Sequence, residues 1–285
     1  MKMMRELLLN FALQPVGLLI ARLFIKVFGS TLQKERFGVL QRNSYAYGMM
    51  RAARIAKGMG KQKVTVCEFG VVQGSGLLNM IELAQQIGPA LGIKFRIVGF
   101  DSGVGLPSLT GGYKDHPELW AAGDFEMDKE ALLSKIGGRA ELVFGDIGET
   151  TGKFLESVDA SCPIGFCSID IDFYSSATSA LLCLKAKPER YTPAVSLYFD
   201  DVSSFTSNKW CGELAAIEEF NAASEWRKID TDRTLPGTRP VQSAYWYQRM
   251  YVGHILDHPI RQKQQERKPV AMDKLEQMVD LSGLR

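Results

Sequence analysis

Residues 64–76 read Val64-Thr65-Val66-Cys67-Glu68-Phe69-Gly70-Val71-Val72-Gln73-Gly74-Ser75-Gly76. A short, mostly apolar run enters a glycine turn, and a helical pattern at 77–87 follows. A buried strand, a tight turn and a helix form the opening unit of an α/β sheet. The glycines let the backbone turn sharply and approach a ligand without a Cβ in the way. A dinucleotide fingerprint would need a third glycine where Asn79 stands, so that motif is not met.

The unit repeats downstream. Residues 95–100, 142–144, 164–171 and 194–199 read as further strands, with helical patterns at 177–184 and 213–222. Residues 45–59 form a helix that stops at Gly60. Segments 226–230 and 247–255 read as two more strands, an antiparallel pair closing the sheet. Apolar strands alternating with helices predict a mostly parallel seven-stranded sheet with helices on both faces. The expected organisation is an N-terminal helical extension at 1–44, one α/β domain at 45–260 and a polar tail at 261–285.

Such sheets bind ligands beyond the carboxyl ends of their strands. Acidic residues stand at those ends. The first strand carries Glu68 just before Gly70; the second ends at Asp101-Ser102, and the third at Gly145-Asp146-Ile147. Asp101 is placed to accept from the two hydroxyls of a ribose, and Asp146 with Ile147 to flank an adenine ring. Singly, each aspartate also reads as a helix cap. Together, without clustered cations, they suit a nucleoside lacking a pyrophosphate.

The fourth strand ends Ser168-Ile169-Asp170-Ile171-Asp172-Phe173-Tyr174-Ser175, and the fifth Tyr198-Phe199-Asp200-Asp201. In extended chain Asp170 and Asp172 share a face. If the two strands are neighbours, four carboxylates converge, and like charges at about 4 Å repel by roughly 4 kcal/mol at an effective dielectric of 20. A proton or a hard divalent cation would relieve them, magnesium suiting so few protein ligands better than calcium. The alternative is that these aspartates cap helices beginning near Ser175 and Lys209. His116 lies in a polar loop, open as surface or substrate-facing. His254 and His258 precede or follow strand-like chain and make a poor zinc pair.

The bulk composition is ordinary: 46% hydrophobic, 23% charged, net +2. That gives no chain-wide electrostatic case for nucleic acid. The basic run from Arg261 to Lys268 reads as a solvated tail. Five cysteines with no CxxC pair fit free thiols and a reducing cytoplasm. The apolar segment 7–28, broken by Asn10, Pro15, Arg22 and Lys26, falls short of the about 20 uninterrupted apolar residues of a spanning helix. Two expectations stand for it: packing on the domain or a partner subunit, or lying on a membrane surface with Arg22 and Lys26 toward headgroups. A homo-oligomer, most simply a homodimer, is the expected assembly.

Taken in order from Tyr45 to Ala222, these motifs, with Gly105-Leu106-Pro107 after the second strand and Ser176 after the fourth, resemble the macrocin O-methyltransferase-like family. They come nearest to a bacterial branch of methyltransferase-like proteins. The resemblance implies a Rossmann-like class I methyltransferase, dependent on S-adenosylmethionine and Mg2+, acting on a hydroxyl of a small molecule of sugar or natural-product type. It implies cofactor contacts at Glu68, Gly70, Gly74, Asp101, Ser102, Asp146 and Ile147. It puts the metal on Asp170, Asp200 and Asp201, with Asp172 as the general base. The histidine that some members carry after the paired aspartates has no counterpart, since Val202-Ser203-Ser204 stands there.

Two rivals come from other classes. One is a catalytically silent binding scaffold of the same fold, for which clustered carboxylates have no physical use. The other is a haloacid-dehalogenase-type phosphatase, whose Asp-x-Asp motif would open its fold and end in Thr or Val where Tyr174 stands.

Overall fold

The computed structural model describes residues 16–263. Residues 7–15 of the apolar segment, and the tail beyond residue 263, lie outside the described residues. The chain opens with helices α1 (Val16–Phe28), α2 (Thr31–Arg36) and α3 (Asn43–Gly58). It then alternates: β1 (Lys63–Phe69), α4 (Ser75–Leu91), β2 (Lys94–Asp101), α5 (Lys129–Ile136), β3 (Glu141–Phe144), α6 (Ile147–Ser157), β4 (Ile164–Ile169), α7 (Tyr174–Ala180) and β5 (Tyr191–Phe199). Helix α8 (Gly212–Ala223), β6 (Arg227–Thr231) and β7 (Met250–Ile255) complete the sheet.

The strands lie in the order β3-β2-β1-β4-β5-β7-β6. β1 to β5 pair in parallel, while β7 runs antiparallel to both β5 and β6. The chain reverses its direction of travel across the sheet at β1, with β2 on one side and β4 on the other. The crevice at that reversal is where open α/β sheets take ligands. The phosphatase reading fails here, because Asp170 follows the fourth strand of an order that starts elsewhere.

Side-chain parity sorts the two faces. Cys67 and Phe69 of β1 join Cys167, Ile169, Leu197 and Phe199 in a core that includes Ala177 of α7 and Ala216 of α8. Val64 and Val66 pack instead with Phe166 and Tyr198 against Tyr45, Ala52 and Leu77 of α3 and α4. Glu68 shares the parity of Val64 and Val66. It is therefore carried under α3 rather than out to the rim.

Helix α1 is different. Its apolar pattern is strong, yet none of its residues is buried. Arg22 turns back toward the chain, where its Nε and Nη2 donate to the carbonyls of Phe37 and Gly38, both at 3.1 Å. Arg22 therefore points toward the domain and away from the apolar stripe of α1. The backbone carbonyls between α2 and α3, left open by the end of a short helix, take it instead.

Candidate functional site

Each strand-end residue is pinned to its neighbour by a backbone hydrogen bond. Gly145 N donates to Asp101 O at 3.1 Å, Gly70 N to Phe100 O at 3.0 Å, Asp170 N to Phe69 O at 3.0 Å and Asp200 N to Ile169 O at 3.1 Å. These bonds fix the order along the carboxyl rim. A pocket of about 220 Å³ opens there. Its wall runs from Gly145, Asp146 and Ile147 past Asp101, Ser102 and Gly70 to Asp170, Ile171 and Asp172, closed by the loop from Gly105 to Thr110. Glu68 and Gly74 stand outside this lining.

Gly70 is required twice over. Its φ is +84°, and a Cβ there would lie 2.0 Å from the carbonyl oxygen of Asp170. Only a bare backbone lets the β4 end pass. Two residues on, Val72 holds φ at +49°, a costly conformation for a β-branched side chain. Asp101 supports it: Oδ2 accepts from the amides of Val71 at 2.9 Å and Val72 at 2.8 Å, and Oδ1 from Gly103 at 2.6 Å. A carboxylate has about four acceptor sites. Three are used by backbone amides, so Asp101 first of all holds this turn in shape.

Asp146 caps α6, its Oδ1 accepting from Gly148 N at 2.8 Å and Glu149 N at 3.3 Å, while still facing the pocket. Ser102 Oγ donates to Gly105 O at 2.8 Å and shapes the loop over the cavity. Glu68 accepts from the Tyr45 hydroxyl at 2.8 Å, which in turn receives a hydrogen bond from Ser168 at 2.7 Å. Its other oxygen, Oε2, is buried without a partner. Burial pushes its pKa up to about 8.

The far half of the rim has another character. Among the described residues, no donor reaches the carboxylate oxygens of Asp170, Asp172 or Asp201, although the Ser207 hydroxyl donates to the backbone carbonyl of Asp201. Burial, then the charges of Asp200, Asp201 and Asp172, raises Asp170 to about 7. Burial and then Asp201 raise Asp172 to about 7, and burial and then Asp200 raise Asp201 to about 6. None of the four caps a helix by its side chain. The amide of Ser175 at the start of α7 is taken by Asp115, from the loop before α5, at 2.8 Å. Glu213 of α8, also buried, accepts from the amide of Asp201 at 2.9 Å and so holds the β5 loop down.

Asp200 is the exception. Its Oδ1 accepts from the Tyr198 hydroxyl and from Arg249, with which it forms an ion pair. Of the expected metal triad, Asp170 and Asp201 carry open carboxylates, while Asp200 has its Oδ1 taken by Tyr198 and Arg249. Among the described residues no three carboxylate, thiol or imidazole groups stand together in ligand geometry.

Sequence reasoning passed over Arg249, Tyr198, Glu213 and Asp115. An arginine opening a closing strand, an aromatic before an acidic pair and an acid on a helix carry no local signal, because their partners lie 42 to 60 residues away in four of the contacts made. His116, open in the sequence to either a surface or a substrate-facing place, is buried with its Nδ1 bonded to Glu118 at 2.8 Å. Arg239 and Trp246 belong to the β6–β7 connection, outside the pocket lining. Arg239 is buried in an ion pair with Glu35 of α2, between the rings of Tyr47 and Trp246. Free energy of desolvation forces such a pairing once the guanidinium leaves water.

No family model matches the chain, and no curated protein matches it. Solved structures do. The calicheamicin methyltransferase CalS11 is similar at 20% identity, with 84% of this chain and 91% of that one covered and a TM-score of 0.50. The O-methyltransferase NovP is similar at 17% identity, with 64% and 74% covered and a TM-score of 0.44. With the strand order above, the first likeness establishes the architecture: the chain has the Rossmann-like class I methyltransferase fold.

Proposed function

We propose that the chain transfers the methyl group of S-adenosylmethionine to a hydroxyl of a small molecule of sugar or natural-product type, assisted by a divalent cation. One observation carries this reading: a single pocket joins the nucleoside-type strand ends, Asp101 and Asp146, to the unpaired carboxylates Asp170 and Asp172. The likeness in fold to a calicheamicin methyltransferase agrees with it.

Along the rim, Asp146 and Ile147 would flank the adenine, Asp101 and Ser102 the ribose, and Gly70 the approach to the sulfonium end. S-adenosylmethionine, when bound, supplies a methyl group already activated by its positive sulfur. The chain's task is to align the acceptor oxygen and remove its proton, and alignment alone supplies several kcal/mol of the barrier. Asp172 takes that proton. Raised to about 7, its carboxylate is basic enough to accept and still ionised in part near neutral pH.

Asp170 and Asp201 suit a hard cation, which commonly keeps several waters and uses only one or two carboxylates. Magnesium, when bound, neutralises these acids and lowers the pKa of a coordinated hydroxyl. Asp200 would join them through Oδ2, its Oδ1 being held by Arg249. The test is a thermal-shift titration with S-adenosylhomocysteine and with MgCl2, on the wild type and Asp170→Asn. We expect both ligands to stabilise the wild type, and the variant to keep the nucleoside shift and lose the magnesium shift. A variant that loses the nucleoside and keeps the metal would refute the assignment. No shift from either ligand would leave a binding scaffold.

A further inference from the structure

Helix α1 presents Val16, Ile20, Leu23, Phe24, Val27 and Phe28 at helical spacing, each more than half exposed. Phe24 and Phe28 pair with ring centroids 5.0 Å apart. A continuous stripe of this kind is on the scale of the largest patches that monomers leave bare, about 300–600 Å², and such patches are commonly functional. Among the described residues no helix is long and apolar enough to cross a membrane.

The stripe does not stand alone. The β6–β7 connection reaches the helix that follows α1, where its Arg239 pairs with Glu35 of α2. On the same connection Tyr245 is exposed under the Arg249 guanidinium, 5.6 Å from its ring centroid. Arg249 Nε donates to Ser203 Oγ at 2.9 Å, and two residues on Phe205 is fully exposed. Aromatic tips and an apolar helix face are what sits at a lipid–water boundary.

Charge selects the occupant. Residues 16–42 hold five cations against one acid, Glu35; Arg22 and Arg42 are turned to Phe37, Gly38 and Ser75, and Lys26, Lys34 and Arg36 stand beside them. Glu35 is itself buried in its ion pair with Arg239. Two copies meeting about a two-fold axis would set this cationic segment against itself. An anionic lipid surface attracts it.

We propose that α1 docks the protein on an anionic bilayer through its apolar stripe, with the exposed Tyr245 and Phe205 as further candidates for lipid contact. The docking does not depend on the methyl-transfer reading. The test is flotation of the full chain with vesicles of phosphatidylcholine alone and of phosphatidylcholine with phosphatidylglycerol. We expect capture by the anionic vesicles, weakening as salt is raised. A Leu23→Ser, Phe24→Ser double variant and a Lys26→Glu variant should each lower the partition coefficient about tenfold. Both should keep the wild-type Tm, since α1 buries no side chain. Equal capture by neutral vesicles, or capture by neither, would overturn the proposal. So would a concentration-dependent dimer in sedimentation equilibrium that the double variant abolishes, which would give the stripe to a second copy.

Discussion

The two halves of the carboxyl rim are both acidic and behave oppositely. Beyond β2 and β3, Asp101 and Asp146 spend their oxygens on backbone amides, at 2.6 to 3.3 Å, and build the turns that surround the pocket. Beyond β4 and β5, Asp170, Asp172 and Asp201 have no such donors and stand at raised pKa values of about 7, 7 and 6. A satisfied carboxylate shapes a loop. An unsatisfied one, held among its like, is poised for a proton or a cation.

The sharpest break of this contrast is chemical. Asp172→Asn should lower kcat by about 10²–10⁴-fold while leaving the dissociation constant for S-adenosylhomocysteine unchanged. A loss of nucleoside affinity with kcat preserved would move Asp172 into the first half of the rim.

Next comes pH. Glu68, Asp170, Asp172 and Asp201 are raised in the folded chain to between about 6 and about 8, against ordinary values of 4.5 and 3.8. The folded state therefore holds more protons than the unfolded one across that window, and stability falls as pH rises through it. Without metal, the Tm should decline from about pH 4 to about pH 8, by on the order of 3 °C per kcal/mol. MgCl2 should recover part of the loss at the upper end. Glu68→Gln should flatten the curve without altering the magnesium response, because Glu68 lies under α3 and outside the pocket.

The satisfied half should respond through stability. Asp101→Ala removes three charge-assisted hydrogen bonds, one of them supporting the strained Val72, and should cost roughly 3 kcal/mol in urea unfolding. Asp146→Ala removes one helix cap and should cost about 1 kcal/mol. If the two losses were equal, Asp101 would be no more than another cap.

Much of the architecture was legible because it is periodic. The strands read from the residues appear within a few positions of their expected places, and the antiparallel closing pair is present. The strand expected at 164–171 ends at Ile169, so Asp170 and Asp172 lie just past it. The expected strand at 247–255 begins at Met250, since Tyr245–Arg249 turn as a 3-10 helix that brings Arg249 toward Asp200. Local pattern reports whether a residue enters a strand or a helix. It carries no record of which distant donor will meet a carboxylate.

The division has one physical basis. Alternation of apolar and glycine-rich segments is a short-range property, so the amino-acid order alone determined the α/β layering, the positions of the strand ends and the presence of acids there. Hydrogen-bond satisfaction is long-range. Only the folded chain decided that Asp200 is claimed by Arg249, that Asp101 is spent on three backbone amides, that Glu68 retreats beneath Tyr45, and that the carboxylates of Asp170, Asp172 and Asp201 are left without donors while raising one another's pKa.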